Sequence, residues 1–94
     1  MFHWDPNKNR LNQSKHGISF ETASMVFDDP FHLTRADHTE NGERRWQTMG
    51  SPDGTVILLV VHTEARSESG DEAIRIISAR RATRVERKIY EKAY

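Results

Sequence analysis

Arginine, glutamate and histidine recur in segments that a sheet could bring together. Glu43-Arg44-Arg45-Trp46-Gln47 is one such segment, His62 closes a second, and Arg75, Arg80 and Arg81 lie in a third. If these segments pair as simple hairpins, Arg45 falls opposite Val60 and Val60 opposite Arg75. Side-chain alternation then gathers Glu43, Arg45, Gln47, His62, Arg75 and Arg81 on one face, over Leu58, Val60 and Ile77. The other face carries Trp46, Ile57, Leu59, Val61, Ile74 and Ile76, the core side, with Arg80 at its end and able to swing toward the next helix. A half-buried arginine is costly unless an anion meets it. A phosphodiester would serve, because the planar guanidinium binds it through two parallel hydrogen bonds.

Each of these residues also has a plainer reading. Arg45 with Glu43, and Arg75 with a carboxylate of a neighbouring strand, suit ordinary cross-strand ion pairs. Arg84, Arg87, Lys88 and Lys92 suit a solvated helix face. Lys15 and His16 suit the negative end of a helix dipole. Tyr90 lies one residue off an apolar stripe and suits half-buried packing as well as an active role. His3, His16, His32, His38 and His62 show no ligand spacing, so neither a metal site nor a cofactor is expected.

The composition limits the context. Ninety-four residues, 35% apolar and 30% charged, predict one domain with a thin core. There is no cysteine, so neither a disulfide nor a thiolate zinc site holds the fold. The opening MFHWDPNKNR has no apolar run of signal-peptide length, and the longest such run, Val56 to Val61, is too short to span a membrane. A cytoplasmic protein is expected. The net charge is zero, yet from Arg75 to Tyr94 seven Arg/Lys face two Glu, a balance of +5 against −5 for the rest. Screening confines such fields to about 8–10 Å, so a neutral total leaves room for a local anion partner.

The elements that would position these groups are legible in order. Phe2 to Trp4 suggests a short strand. Asp5-Pro6 starts a helix as N-cap and first residue, and Gly17 stops it. Ser19 caps a second helix carrying Phe20, Ala23, Val26 and Phe27 at helical spacing, ended by Asp28-Asp29-Pro30. Strands follow at FHLTRADH, ERRWQTMG, TVILLVVHT and EAIRIISAR. The turns between them lie at Thr39 to Gly42, with its Asn41-Gly42 signal, at Ser51 to Gly54, and in a loop from Glu64 to Gly70. Thr83 and Glu86 form a capping box for a last helix with Val85, Ile89 and Ala93 as its apolar stripe. The fold class is α+β: an antiparallel sheet of four to five strands with two N-terminal helices and one C-terminal helix. TVILLVVHT belongs in its interior.

Three stretches, FHWDPNKNRLNQSKHGISFETASMVFDDP, NGERRWQTMG and IRIISARRATRVERKIYE, resemble the BrnT toxins of bacterial type II toxin–antitoxin systems, in the same order and over nearly the whole chain. The resemblance implies a RelE-like ribonuclease fold and a metal-independent endoribonuclease that halts translation. It also implies a BrnA-like ribbon–helix–helix antitoxin as partner, with DNA engaged only through that antitoxin. The family's middle motif reads Gly-Glu-Glu-Arg followed by an aromatic. Here it is Gly42-Glu43-Arg44-Arg45-Trp46, which is more basic.

Metal-free RNA cleavage needs a base for the 2′-OH, cations for the charge growing on phosphorus oxygens, and an acid for the leaving 5′-oxygen. Arg45 and Arg75 are the candidate cations, with Arg80 third. Glu43 or His62 is the candidate base, and Tyr90 a candidate acid or stacking platform. Lys15, His16 and Arg81 are candidates for holding RNA. The rival function is non-catalytic: a partner-binding module whose basic groove takes an acidic protein segment.

Overall fold

The structure, a computed structural model, describes residues 1–66 and 68–93. Asp5 caps helix α1 (Pro6–His16) by accepting the Asn7 amide at 2.7 Å, and Gly17, at φ 72°, ends it. Ser19 caps α2 (Phe20–Ser24), which tightens into a 3-10 turn over Met25–Asp28 instead of continuing as one α-helix. The turn lies directly on strand β3 (Glu43–Gly50). A Cβ on Gly50 would stand 2.8 Å from the Val26 carbonyl oxygen, so only glycine admits this approach.

The sheet comprises β1 (Phe2–His3), β2 (Leu33–Glu40), β3, β4 (Leu58–Arg66) and β5 (Glu72–Arg81), in the spatial order β1-β5-β4-β3-β2. β2 to β5 form an antiparallel meander, whereas β1 adds to β5 in parallel at Ile74 and Arg75. β4 is interior, as expected, but starts at Leu58 rather than Thr55. The Asp53 carboxylate takes the amides of Thr55 and Val56, drawing them into the turn. At its other end β4 runs on through Arg66, into the segment expected to be loop; Ser67 of that loop lies outside the described residues.

Helices lie on both faces, but on the second they cover only the Met49 and Arg80 end, and the end carrying Arg75 and Glu43 is open. Phe20, Ala23 and Val26 pack with Ile18 on Leu58, Val60, Ile74, Ile76 and Ala79. On the same side Asn12 of α1 donates to the Ala79 carbonyl and accepts its amide, supplying pairs for β5 beyond the reach of β1. Helix α3 (Arg84–Lys92) crosses the other face, where Met49 and Leu59 are buried. Its capping box, Thr83 with Glu86, forms as predicted. Its expected apolar stripe packs only in part: Val85 is 68% exposed, while Ile89, 45% exposed, lines a cleft with Leu33 and Met49. The inward side of α3 instead carries Glu86 and Tyr90, four residues apart and held by polar bonds.

Candidate functional site

Two features of the register decide which residues meet. Trp46 pairs with His62 and Thr48 with Val60, so β4 is slid relative to the simple hairpin estimate. Thr63, rather than Val60, lies opposite Arg75, and Val60 lies opposite Ala79. Between them β5 carries a bulge: Val61 faces Ser78 but His62 faces Ile76, leaving Ile77 as the extra residue. The bulge shifts alternation by one, so Arg75, Ser78 and Arg80 all share a face with Leu59, Val61 and Thr63. Arg45, adjacent to core-side Trp46, projects to that same open face.

The expected group is therefore partly assembled and partly split. Glu43, Arg45, Gln47 and Arg75 share the open face, and Arg80 joins them there instead of facing the core. Leu58 and Val60 belong to the core side, while Leu59 and Val61 take the open side, the reverse of the expectation. His62 is on the core side and 0% exposed. Its Nε2 meets Thr48 Oγ1 at 2.7 Å, which in turn meets Thr34 Oγ1 at 2.8 Å, and the Phe27 ring stands edge-on at 5.0 Å. Burial drives its pKa below the ordinary imidazole value, against the raising effects of the Thr63 carbonyl and Glu72. A neutral, enclosed imidazole on the far side of the sheet is out of reach of a phosphate at Arg45.

Arg81 also leaves the group. It pairs with Leu58 and lines a small cleft with Thr55, Val56 and Arg87. Tyr90 lies past the opposite end of β3 from Arg45, where its hydroxyl donates to the Asp29 carboxylate. Asp29 also accepts the amides of Phe31 and Ser51. Burial would raise the Asp29 pKa, but the Tyr90 bond and these amides outweigh it and hold the carboxyl below its usual value. Lys15 and His16 line a cleft of about 320 Å³ with Lys8, Leu11, Asn12, Ile77 and Ser78. Through Ser78 this basic cleft reaches the open face.

On the open face each arginine is held by a carboxylate. Glu40 binds Arg45 at 2.7 Å and Glu43 binds Arg75 at 2.5 Å. These glutamates are register partners flanking the Asn41-Gly42 turn, whose positive φ values (53° and 77°) are those of a tight hairpin. Both are open to water, 49% and 44% exposed. Arg45 is only 17% exposed, and its Nε is buried with no hydrogen-bond partner among the described residues. Arg35 donates to Gln47 at 2.9 Å alongside.

Arg80 is bound differently. Both its terminal nitrogens donate to Glu86, at 2.7 and 3.0 Å, and Arg35 lies 3.9 Å from the same carboxylate. Glu86 is 12% exposed and also accepts the Thr83 amide in the capping box. The Arg80 bonds, with help from Thr83 and against burial, depress its pKa from 4.5 to about 2.

Sequence reasoning missed Arg35, Glu40 and Asp29 and read Glu86 only as a cap. Glu40 had a signal, its mirror position to Glu43 across Asn41-Gly42. Among the described residues no cluster of three or more His, Asp or Glu side chains is arranged to hold a metal, and no helix is long and apolar enough to cross a membrane.

The family profile described as "Ribonuclease toxin, BrnT, of type II toxin-antitoxin system" matches residues 4–86. Among solved structures, the crystal structure of the Brucella abortus ribonuclease toxin BrnT superposes with a TM-score of 0.62 at 25% sequence identity, covering 89% of this chain and 99% of that one. No curated protein matches.

Proposed function

This chain belongs to the BrnT family of type II toxin ribonucleases, and on that premise we propose that its open sheet face cleaves RNA between Arg45 and Arg75. The supporting observation is that both guanidinium groups share a face with exposed, exchangeable glutamates as their partners. The Arg75–Glu43 pair is open on both sides, and such a pair is worth about 0–1 kcal/mol, so a phosphodiester can displace Glu43; at Arg45, itself largely enclosed, the exposed Glu40 is the exchangeable partner. Displacement from Arg75 leaves the Glu43 carboxylate beside the bound phosphate. There it takes the proton of the 2′-OH as the 2′-oxygen attacks phosphorus. The new P–O2′ bond forms as the P–O5′ bond breaks, the arginines hold the charge on the non-bridging oxygens, and the leaving oxygen takes a proton from solvent.

The remaining residues take supporting parts in this reading. Lys15 and His16 carry the strand past Ser78 with simple charge attraction. Arg80, forked onto a buried carboxylate, holds the start of α3 against the sheet instead of meeting phosphate. The chemistry runs on the chain's own groups without a metal. In the cell it would arrest translation in the cytoplasm until a BrnA-like ribbon–helix–helix antitoxin covers the toxin.

The test is cleavage of RNA by the purified protein in excess chelator, with the ends identified. Cyclic or 3′-phosphate ends, lost in Arg75→Ala, support the mechanism. Intact RNA would instead favour the non-catalytic reading, in which the same arginines bind an acidic protein segment.

A further inference from the structure

At one end of the sheet the two hairpins part. β3 and β4 pair from Gly50–Leu58 as far as Trp46–His62, yet β3 begins at Glu43 and β4 continues to Arg66. In the fork lies a cleft of about 340 Å³ lined by Arg44, Trp46, Glu64, Ala65, Arg66 and Glu72. Trp46 is half-buried, and the Arg44 guanidinium lies 5.6 Å from its ring centroid. The Glu64 carboxyl is pushed up by burial first and by Glu72 second, against a lowering effect of Arg66.

We propose that this fork is a nucleobase site. A base bearing an exocyclic amino group stacks on Trp46 and donates to Glu64 or Glu72, while its strand continues onto Arg45 and Arg75. The inference rests on the RNA-cleaving reading above. Three observations carry it. An indole with a guanidinium over it is a stacking platform, and the long Arg44 stem can lift to admit a base. Glu64 and Glu72 accept amino hydrogens, and with Arg44 over the indole and Arg66 donating to the Gly70 carbonyl the lining has no net positive charge to draw backbone phosphate, so this wall suits a base edge. The phosphate and base sides also share consecutive residues. Arg44 and Trp46 flank Arg45, whose side chain crosses to the open face with a buried Nε that has no hydrogen-bond partner among the described residues. Cytosine offers an amine where uracil offers a carbonyl oxygen, so the cleft should prefer cytosine.

The experiment uses Trp4→Phe protein, in which Trp46 is the remaining indole, titrated with cytidine 3′-monophosphate and with uridine 3′-monophosphate. The expected result is indole quenching by the cytidine nucleotide at severalfold lower concentration than by the uridine one. Glu64→Gln/Glu72→Gln should abolish that difference, and Trp46→Leu should weaken use of cytidine-containing RNA by roughly 5- to 150-fold, the range for one stacked base. The glutamine variants keep the test decisive if Trp46→Leu fails to fold. Equal quenching by both nucleotides, no quenching, or an unchanged preference in the glutamine double variant would overturn the site. Cleavage by the same preparations separates the two readings. RNA cut without regard to C or U sinks the base site alone, whereas nucleotide discrimination without cleavage supports the base site and counts against catalysis.

Discussion

On the open face of this sheet, Arg45 and Arg75 at one end and Arg80 at the other are each bound to a glutamate at 2.7 Å or less. Neither distance nor the exposure of the arginines distinguishes them, Arg45 being 17% and Arg80 38% exposed; solvation of the glutamates does. Glu40 and Glu43 stand on a hairpin tip, about half exposed, where water can replace them. Glu86 is largely enclosed, takes both terminal nitrogens of Arg80, and also closes a capping box. An enclosed carboxylate stripped of its cation is costly, whereas an exposed one is simply rehydrated. In the proposed site the first pair of arginines exchanges its carboxylates for a phosphate, and the third stays committed to the fold.

The largest expected effect is on catalysis at the exchangeable end. Arg45→Ala or Arg75→Ala should slow RNA cleavage by about 10²–10³, or 3–4 kcal/mol, as for loss of one preorganised donor. The unfolding midpoint should stay close to that of the parent. A variant that loses activity only by unfolding would break the comparison.

Next comes stability at the committed end. Depression of the Glu86 pKa from 4.5 to about 2 corresponds to about 3 kcal/mol. Because the folded pKa is the lower one, this stabilisation is present above pH 4.5 and is lost as pH falls toward 2. Glu86→Ala should therefore lower denaturant stability by a similar amount near neutral pH, and the gap from the parent should close in acid. A gap independent of pH would show that the ion pair is not its source. His62 adds an acid loss of its own. Its folded pKa lies below the ordinary 6.5, so stability falls as pH drops through and below that value.

A smaller effect has the opposite sign. Glu40→Gln removes a competitor for Arg45 and should tighten binding of a non-cleavable RNA by up to about fivefold, the worth of an exposed ion pair. Weaker binding in this variant would mean that Glu40 orients Arg45 for RNA instead of competing with it. The smallest effect belongs to the solvated helix: Arg87→Ala should change cleavage and stability by under about 1 kcal/mol.

The signals that were legible in the sequence are local ones. Asp5-Pro6 and Gly17 bounded α1, Asn41-Gly42 set the first hairpin, and Thr83 with Glu86 marked the start of α3. Each is a contact within four residues, or a backbone angle, that side-chain chemistry decides. The faces of the sheet were harder. Leu58 to Val61 is apolar on both sides, so no alternation fixes its register, and a slip of three residues, an odd number that exchanges the faces, moved His62 from the site into the core. The bulge at Ile77 has no marker such as glycine, yet it alone brings Arg80 to the side of Arg75. Val85 and Ile89 suggested a buried stripe on α3. The polar pairs Glu86–Arg80 and Tyr90–Asp29, joining residues 6 and 61 positions apart, turn the helix another way.

Under the proposed function Arg45 and Arg75 exchange their carboxylates for phosphate while Arg80 does not. The most direct measurement is NMR of the arginine Nε–H resonances during titration with a 2′-deoxy oligonucleotide that cannot be cleaved. The Arg45 and Arg75 signals should shift together and saturate, with the Arg80 signal unmoved. A shift at Arg80 with Arg45 and Arg75 unchanged would contradict that exchange.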